Sequence, residues 1–406
     1  MKSLYARRLS LFALFALPGL AISSWVTRTP TIRDVLGAST SEMGLILLGL
    51  SAGSMIGILS SGPAVSRWGA RPVMIAGTLG VVMSMPMIGI GVAMGSTPVT
   101  VLGLFLFGLG MGGGEIAMNV EGADIEKAIG RPVLPALHGF FSLGTVVGAV
   151  VGIAFTALQV PVFWHLMPIG VIALGALIIA ARNIPRGTGR IERDTGERIA
   201  RATKTAGWRD SRLLLIAAIV LAMALAEGTA GDWLPLVMVD GHGFDPAWGS
   251  AVYAAFAAAM TIGRFVGGRF VTRFGIVHVL RVSILLGAAG MALVIFVDNP
   301  LVAASAVVLW GLGASLGFPL ALSAAGDGGA DSARRVSFAA TVGYVAFLVG
   351  PPVIGFLGEH SSLRVALLAP LVLVAAAAFI APAARARDSH SSAMALMADA
   401  GQGRKD

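Results

Sequence analysis

Twelve separate runs of predominantly apolar residues leave this chain few folds to choose from. They cover roughly 9–27, 43–65, 72–94, 99–123, 136–158, 162–182, 212–238, 246–271, 278–297, 300–326, 336–358 and 362–384. A run of about 20 such residues crosses the hydrocarbon core of a bilayer as a helix. Inside lipid every backbone polar group must find its partner within the protein. The sequence therefore predicts an all-α membrane protein with twelve transmembrane helices. Composition removes the soluble reading: 12% of the 406 residues are charged, against about 25% in soluble domains. The 54 glycines suit helices that approach closely in lipid.

The connections between spans are short except at the centre. Residues 183–211 are polar and mixed in charge, and are expected to be helical around Glu192–Lys204. They divide the chain into a bundle of six helices at 1–182, a linker at 183–211, a second six-helix bundle at 212–384 and a tail at 385–406. With the N-terminus in the cytoplasm, the basic residues fall on the cytoplasmic side except for Arg28, Arg33 and Arg364, as the positive-inside rule requires. Both termini and the linker are therefore expected in the cytoplasm, with the chain in the cell's inner (plasma) membrane. Reading the first 24 residues as a cleaved signal would leave eleven spans and reverse the basic turns.

Several function classes lose support at once. Without cysteine there are no disulfides, thiolate nucleophiles or Cys-based metal sites. The 6 histidines show no clustered ligand spacing, so neither a catalytic metal nor any other cofactor is expected. The net charge of +8 forms no basic patch on a soluble face, which argues against nucleic acid. "GLGMGGGE" at 108–115 lacks the Lys and Ser/Thr of a phosphate-binding loop. No constellation argues for an enzyme.

The two halves repeat one another. "IGILSSGPAVSRWG" at 56–69 aligns without gaps on "IGRFVGGRFVTRFG" at 262–275, an offset of 206. The Gly-Leu-Gly at 108–110 matches that at 311–313, and Asp124 matches Asp327, both at offset 203. One duplicated six-helix unit accounts for both matches. Parallel repeats with a substrate site between them are a transporter architecture.

The stretch "GPAVSRWGAR" (62–71) resembles the turn between spans two and three of the major facilitator superfamily. That family motif runs Gly, three residues, Asp, Arg, any residue, Gly, then two basic residues. Gly62, Arg67, Gly69 and Arg71 match it, and Gly268, Arg273 and Gly275 repeat it in the second half. The resemblance implies a gating and topology element. Ser66 stands at the family's Asp position and Thr272 at its repeat, so the family's charge lock does not carry over; a hydroxyl there is expected at most to cap a helix. "MNVEGADIEKAIGRP", "HGFFSLG" and "EGTAGDW" resemble a bacterial group near the sugar-type permeases. A Gly-Pro element marks the family's drug antiporters when it lies on the fifth span. Here "GPPVIG" (350–355) lies on the eleventh and "GTVVGAVVG" (144–152) on the fifth has no proline.

Ionisable groups within spans are costly and default to functional candidates. The repeat sorts them. Asp124 and Asp327 occur in both halves and read as end charges beside Lys127 or Arg334, whereas Glu115 corresponds to Phe318, Glu227 to Ala21 and Asp232 to Val26. The single-copy group breaks the symmetry and is expected to serve proton coupling, in the order Glu227, Glu115, Asp232. Glu115 and Asn119 share a helical face, with Glu121 and Asp124 on the other. Substrate contacts are expected at Asn119, Trp233, Glu115 and Asp232, with Trp233 either a flat wall or an interfacial anchor. Glu227 and Asp232 lie about 140° apart on a regular helix, so "AEGTAGDW" (226–233) is expected to unwind locally at Gly228 and Gly231. His138 is expected to pair with Glu121 or Asp124, and Arg264 to be a gate charge or a snorkelling side chain. The chain thus reads as a monomeric secondary transporter in the lipid bilayer. It would move a small polar, sugar-like solute by alternating access, coupled to protons. The alternatives are a proton-antiport exporter of drugs or amphipathic metabolites and a transport-inactive receptor.

Overall fold

The computed structural model describes residues 4–130, 133–190, 210–327 and 332–385. The expected central helix at Glu192–Lys204 and nearly all of the tail lie outside the described residues. Twelve helices are long and apolar enough to cross a membrane, and the fold is all-α. In chain order the helices are α1 (Leu4–Val26), α2 (Thr29–Leu36), α3 (Thr40–Trp68), α4 (Ala70–Ala93), α5 (Thr97–Ile129), α6 (Leu134–Ala157) and α7 (Val162–Ala181). Then follow α8 (Ser211–His242), α9 (Pro246–Phe274), α10 (Ile276–Phe296), α11 (Pro300–Gly326), α12 (Ser332–His360), α13 (Leu363–Ala366) and α14 (Leu368–Ile380). The last span is α13 and α14 together, closed by a 3-10 turn at Ala381–Ala384. α2 is an addition that hydropathy could not show, because a short amphipathic helix at a span end looks like loop. Proline at its start and Gly37 at φ 61° as its left-handed cap delimit it.

Sequence chemistry sets the helix ends. Ser39 and Glu42 form a reciprocal capping box at the start of α3. Asp210 accepts the Leu213 N–H at 3.1 Å to begin α8, and the Asn299 side chain does the same for Leu301 at 3.0 Å in α11. The turn motif has a backbone cause. Gly69 (φ 87°, ψ 164°) and Gly275 (φ 79°, ψ 159°) join α3 to α4 and α9 to α10, a region essentially closed to other residues. Each donates its N–H to the residue four before it, Val65 at 2.7 Å and Val271 at 2.9 Å.

The repeat survives as packing. A Cβ placed on Gly108 would stand 2.0 Å from the Leu50 carbonyl and 2.7 Å from the Ser54 nitrogen. One on Gly311 would meet the equivalents, Phe256 carbonyl at 2.5 Å and Met260 nitrogen at 3.3 Å. A Cβ on Gly57 would meet the Leu109 carbonyl at 2.5 Å, whereas one on its counterpart Gly263 would meet side chains, Ser315 Oγ at 2.3 Å and Leu312 Cδ2 at 3.6 Å. Close backbone approach marks the Gly108 and Gly311 crossings, as small residues permit in lipid.

Three polar contacts tie the first six spans to the last six at the end remote from the chain termini. Ser250 Oγ donates to the Thr27 carbonyl at 2.7 Å. Arg33 pairs with Asp240. The Ser41 N–H donates to Glu359 Oε2 at 3.1 Å. Beside them α3 and α12 touch backbone to backbone. A Cβ on Gly44 would lie 2.8 Å from the Pro351 carbonyl, and one on Gly355 would lie 3.0 Å from the Gly44 Cα. "GPPVIG" is thus a seam between the two groups of helices.

Candidate functional site: a central cavity

A cavity of about 520 Å³ lies between the two groups of spans, lined by residues of α1, α3, α5, α6, α8, α9, α11 and α12. Its end remote from the termini is closed by Trp25, Tyr253 and Phe256, all buried. Toward the terminus-bearing end it reaches solvent, and the Arg264 side chain on its wall is 38% exposed. Most of the lining is apolar or aromatic, including Phe141, Phe318 and Phe347. Such a wall with a few polar groups is the usual form of a small-molecule site.

Glu115, Asn119, Glu227 and Asp232 all line this one space. α5 brings Glu115 and Asn119 on one face, four residues and about one turn apart. Glu121, on the other side, is fully buried against α1, where Arg7 Nε donates to it at 2.5 Å. Arg7 also binds Asp124 at 2.6 Å. Asp124 remains a half-exposed charge near the end of α5, as expected, but its partner is Arg7 of α1 rather than Lys127 or Arg334. The second half has a related staple, in which Arg212 of α8 donates to backbone carbonyls of Ala324, Asp327 and Ala383.

α8 carries Glu227 and Asp232 without unwinding. It is continuous from Ser211 to His242, through Pro235, so the expected break is corrected. Unwound backbone in the bilayer would need new partners for its polar groups. The glycines act through size instead. Nothing lies within 4 Å of a Cβ position on Gly231, so the cavity reaches around the helix between the two carboxylates. Trp233 is corrected too. It is fully buried in the protein core and is not part of the cavity wall. The tryptophan on the wall is Trp25, whose indole N–H has no partner.

Arg264 supplies what sequence reading missed at Glu227. Its Nη2 lies 2.7 Å from Glu227 Oε1, and its charge also acts on Glu115. The sequence singled out Arg264 but not its partner, because the pair bridges α8 and α9. His138 does not reach Glu121 or Asp124 as expected. Its Nε2 lies 3.1 Å from Asn119 Oδ1, and both residues line the cavity. Tyr253 and Tyr344 were also missed. Single phenols among so many apolar residues carry no sequence signal.

The turn motif lies away from this cavity. Arg67 sits over the Trp68 ring at 5.6 Å and Arg273 over the Phe274 ring at 5.4 Å, a symmetric anchoring. Arg71 Nη2 donates to the Ala181 carbonyl at 2.9 Å. Ser66 and Thr272 cap no helix start; each donates to a carbonyl of its own helix, Pro63 and Gly268, at 2.9 Å. Gly62 and Gly268 have open space where a Cβ would be, so the close packing that glycine could serve at these positions is absent here.

Comparison with known proteins agrees with this architecture. The model of the Major Facilitator Superfamily matches residues 9–331. An uncharacterized MFS-type transporter of Yersinia pestis is 32% identical over 367 residues, 89% of this chain and 92% of that protein. Among solved structures, a point mutant of the nucleoside transporter NupG superposes with a TM-score of 0.74 at 15% identity, covering 93% of this chain and 99% of that one. A point mutant of the E. coli fucose:proton symporter FucP superposes with a TM-score of 0.64 at 16% identity, covering 94% and 98%. At these identities the structural likeness concerns the fold.

Proposed function

The chain belongs to the major facilitator superfamily, and on that premise we propose that it is a proton-coupled secondary transporter of a small polar solute. The observation that carries this reading is the central cavity, closed at one end by contacts between the two groups of spans and open at the other. Alternating access needs such a site at the boundary of two rigid units. The units are the six-helix bundles 1–182 and 212–384. With both termini in the cytoplasm, the described state faces inward. Structural neighbours that are a nucleoside transporter and a fucose:proton symporter support a polar, sugar-like cargo. The protein acts as a monomer in the inner membrane, and no part of the reading calls for enzymatic chemistry.

Glu227 and Arg264 form the coupling element, with Glu115 as second acceptor for the arginine and Asp232 as the further acid. A proton arriving on Glu227 removes its attraction for Arg264. The guanidinium then turns to Glu115 or to the solute, and the stability of the inward-facing arrangement changes. Asn119, held by His138, and Trp25 offer hydrogen-bonding groups to a solute, with the aromatic rings as walls.

The test is accumulation in proteoliposomes from a mixed metabolite pool, read by mass spectrometry of the vesicle contents. A solute should accumulate under an imposed proton gradient and be lost on adding a protonophore, and Glu227→Gln should abolish the gradient dependence. A Glu227→Gln protein that still follows the gradient would sink the coupling assignment.

A further inference from the structure

The transport reading leaves the charge of the solute open, and the cavity wall bears on it. Three carboxylates, Glu115, Glu227 and Asp232, face the space against one guanidinium, Arg264; His138 is the other titratable base there. Arg264 is taken up by Glu227 at 2.7 Å and acts on Glu115 from the same side. Asp232 stands apart, five residues further along α8 toward the closed end, about 7.5 Å higher at 1.5 Å per residue. From the elements around it, the titratable neighbour is Tyr253 of α9, which interacts with the buried Ser23 hydroxyl of α1, and a further polar group is Trp25 of α1, whose buried indole N–H has no partner among the described residues. Phe256 completes this inner chamber, and the bare Gly231 leaves room beside the carboxylate.

A carboxylate in an apolar chamber is costly unless a proton or a cation accompanies it. The chamber also offers aromatic faces, Trp25, Tyr253 and Phe256, which attract cations through their ring quadrupoles. An anionic solute would meet three carboxyl groups against one guanidinium. We propose that the solute is an amine-bearing organic cation whose ammonium group is received by Asp232 among Trp25, Tyr253 and Phe256. The open lower part of the cavity, with Asn119, His138 and Tyr344, takes the remainder of the molecule. The indole N–H of Trp25 donates to a hydroxyl or ether oxygen near the amine. This assignment rests on the transport reading for its purpose, but binding can be measured in detergent with no gradient, so the two can fail separately.

The experiment is thermal stabilisation of the purified full chain in detergent, in sodium-free buffer, with two matched sets of probes. One set is glucosamine, glucose and glucuronate; the other is tyramine, 4-ethylphenol and 4-hydroxyphenylacetate. At least one amine should raise Tm in a saturable way, while its neutral and acidic partners do not. Asp232→Asn should weaken that amine at least about tenfold, the loss expected for one charge-assisted bond, and Asp232→Glu should recover part of it. Arg264→Gln, which removes the opposing charge without touching the inner chamber, should tighten the amine. This second variant keeps the proposal falsifiable even where Asp232→Asn does not fold. Stabilisation by the neutral partner equal to that by the amine would overturn the proposal. So would amine binding that survives Asp232→Asn, weaker amine binding in Arg264→Gln, or no response to either amine.

Discussion

The two halves of this protein are alike where they support the bundle and unlike where they face the cavity. Gly108 crosses Leu50 and Ser54 as Gly311 crosses Phe256 and Met260, and Gly69 turns the chain as Gly275 does. The cavity is lined from matching positions too, Leu50 and Phe256, Ser54 and Met260, Ile58 and Arg264, but the residues placed there differ in chemistry. The first half contributes Glu115, Asn119 and His138, and the second contributes Glu227, Asp232, Tyr253 and Arg264. A duplicated unit must keep the contacts that hold it together, since each fails in the same way in either copy. It is free to diverge at the shared boundary, where both copies contribute to one site. Symmetry therefore separates scaffold from site without reference to any relative.

The strongest way to break this comparison is to fill a scaffold crossing. Gly108→Val and Gly311→Val each drive a side chain into backbone, and each should cost about 3 kcal/mol or more, seen as loss of monodisperse protein on size exclusion. If only one of the pair is sensitive, the equivalence of the halves is wrong. Next comes the asymmetric pair. Arg264→Leu leaves Glu227 without its partner, and gradient-driven accumulation should fall about tenfold, the scale of losing one hydrogen bond between charged groups in a partly exposed pair. The double variant with Glu227→Gln should be no worse than the worse single variant, because the two act as one unit. Additive losses would mean that the ion pair is incidental.

A smaller effect is expected at the far-end closure. Arg33→Ala removes a partly exposed pair with Asp240 and should shift the balance of states by about 0.5 kcal/mol. Since the chain has no cysteine, spin labels at Ala38→Cys and Ala247→Cys can report this as a larger population of long distances. The smallest effect belongs to the turn hydroxyls. Ser66→Ala and Thr272→Ala should each change melting stability by less than about 0.5 kcal/mol, because each hydroxyl serves only its own helix. A large loss from Ser66→Ala alone would give the first turn a role that its repeat lacks.

Much of the fold was legible in the sequence because lipid enforces it. A span must be long, apolar and helical, so hydropathy located all twelve, with ends off by up to six residues where polar turns of helix extend beyond the apolar run, as at the end of α5. Glycine at the two turn positions was legible because no other residue tolerates that backbone. The site was legible in part. Glu115, Asn119, Glu227 and Asp232 stand out as polar groups where polarity is costly, and all four line the cavity. Their partners were not legible, since Arg264 meets Glu227 across two helices and Arg7 meets Glu121 across 114 residues. Trp233 and Trp25 show the limit most plainly. Both lie on long apolar helices, and only the packing of neighbours decides that one faces the core and the other the cavity. For α8 the inference from glycine to flexibility chose the wrong property, because Gly231 serves by being small.

The seam at Gly44, Pro351 and Gly355 has a mechanical consequence. At Gly44, Pro351 and Gly355 backbone lies on backbone, and the Thr40 side chain sits against Gly358 beside them. Parting the helices at those three residues withdraws no side chain from between them. A closure of this kind releases like two smooth plates. In the proposed transport cycle, the work of opening that side falls on the polar clasps around it, Ser250 on Thr27, Arg33 with Asp240 and Ser41 with Glu359.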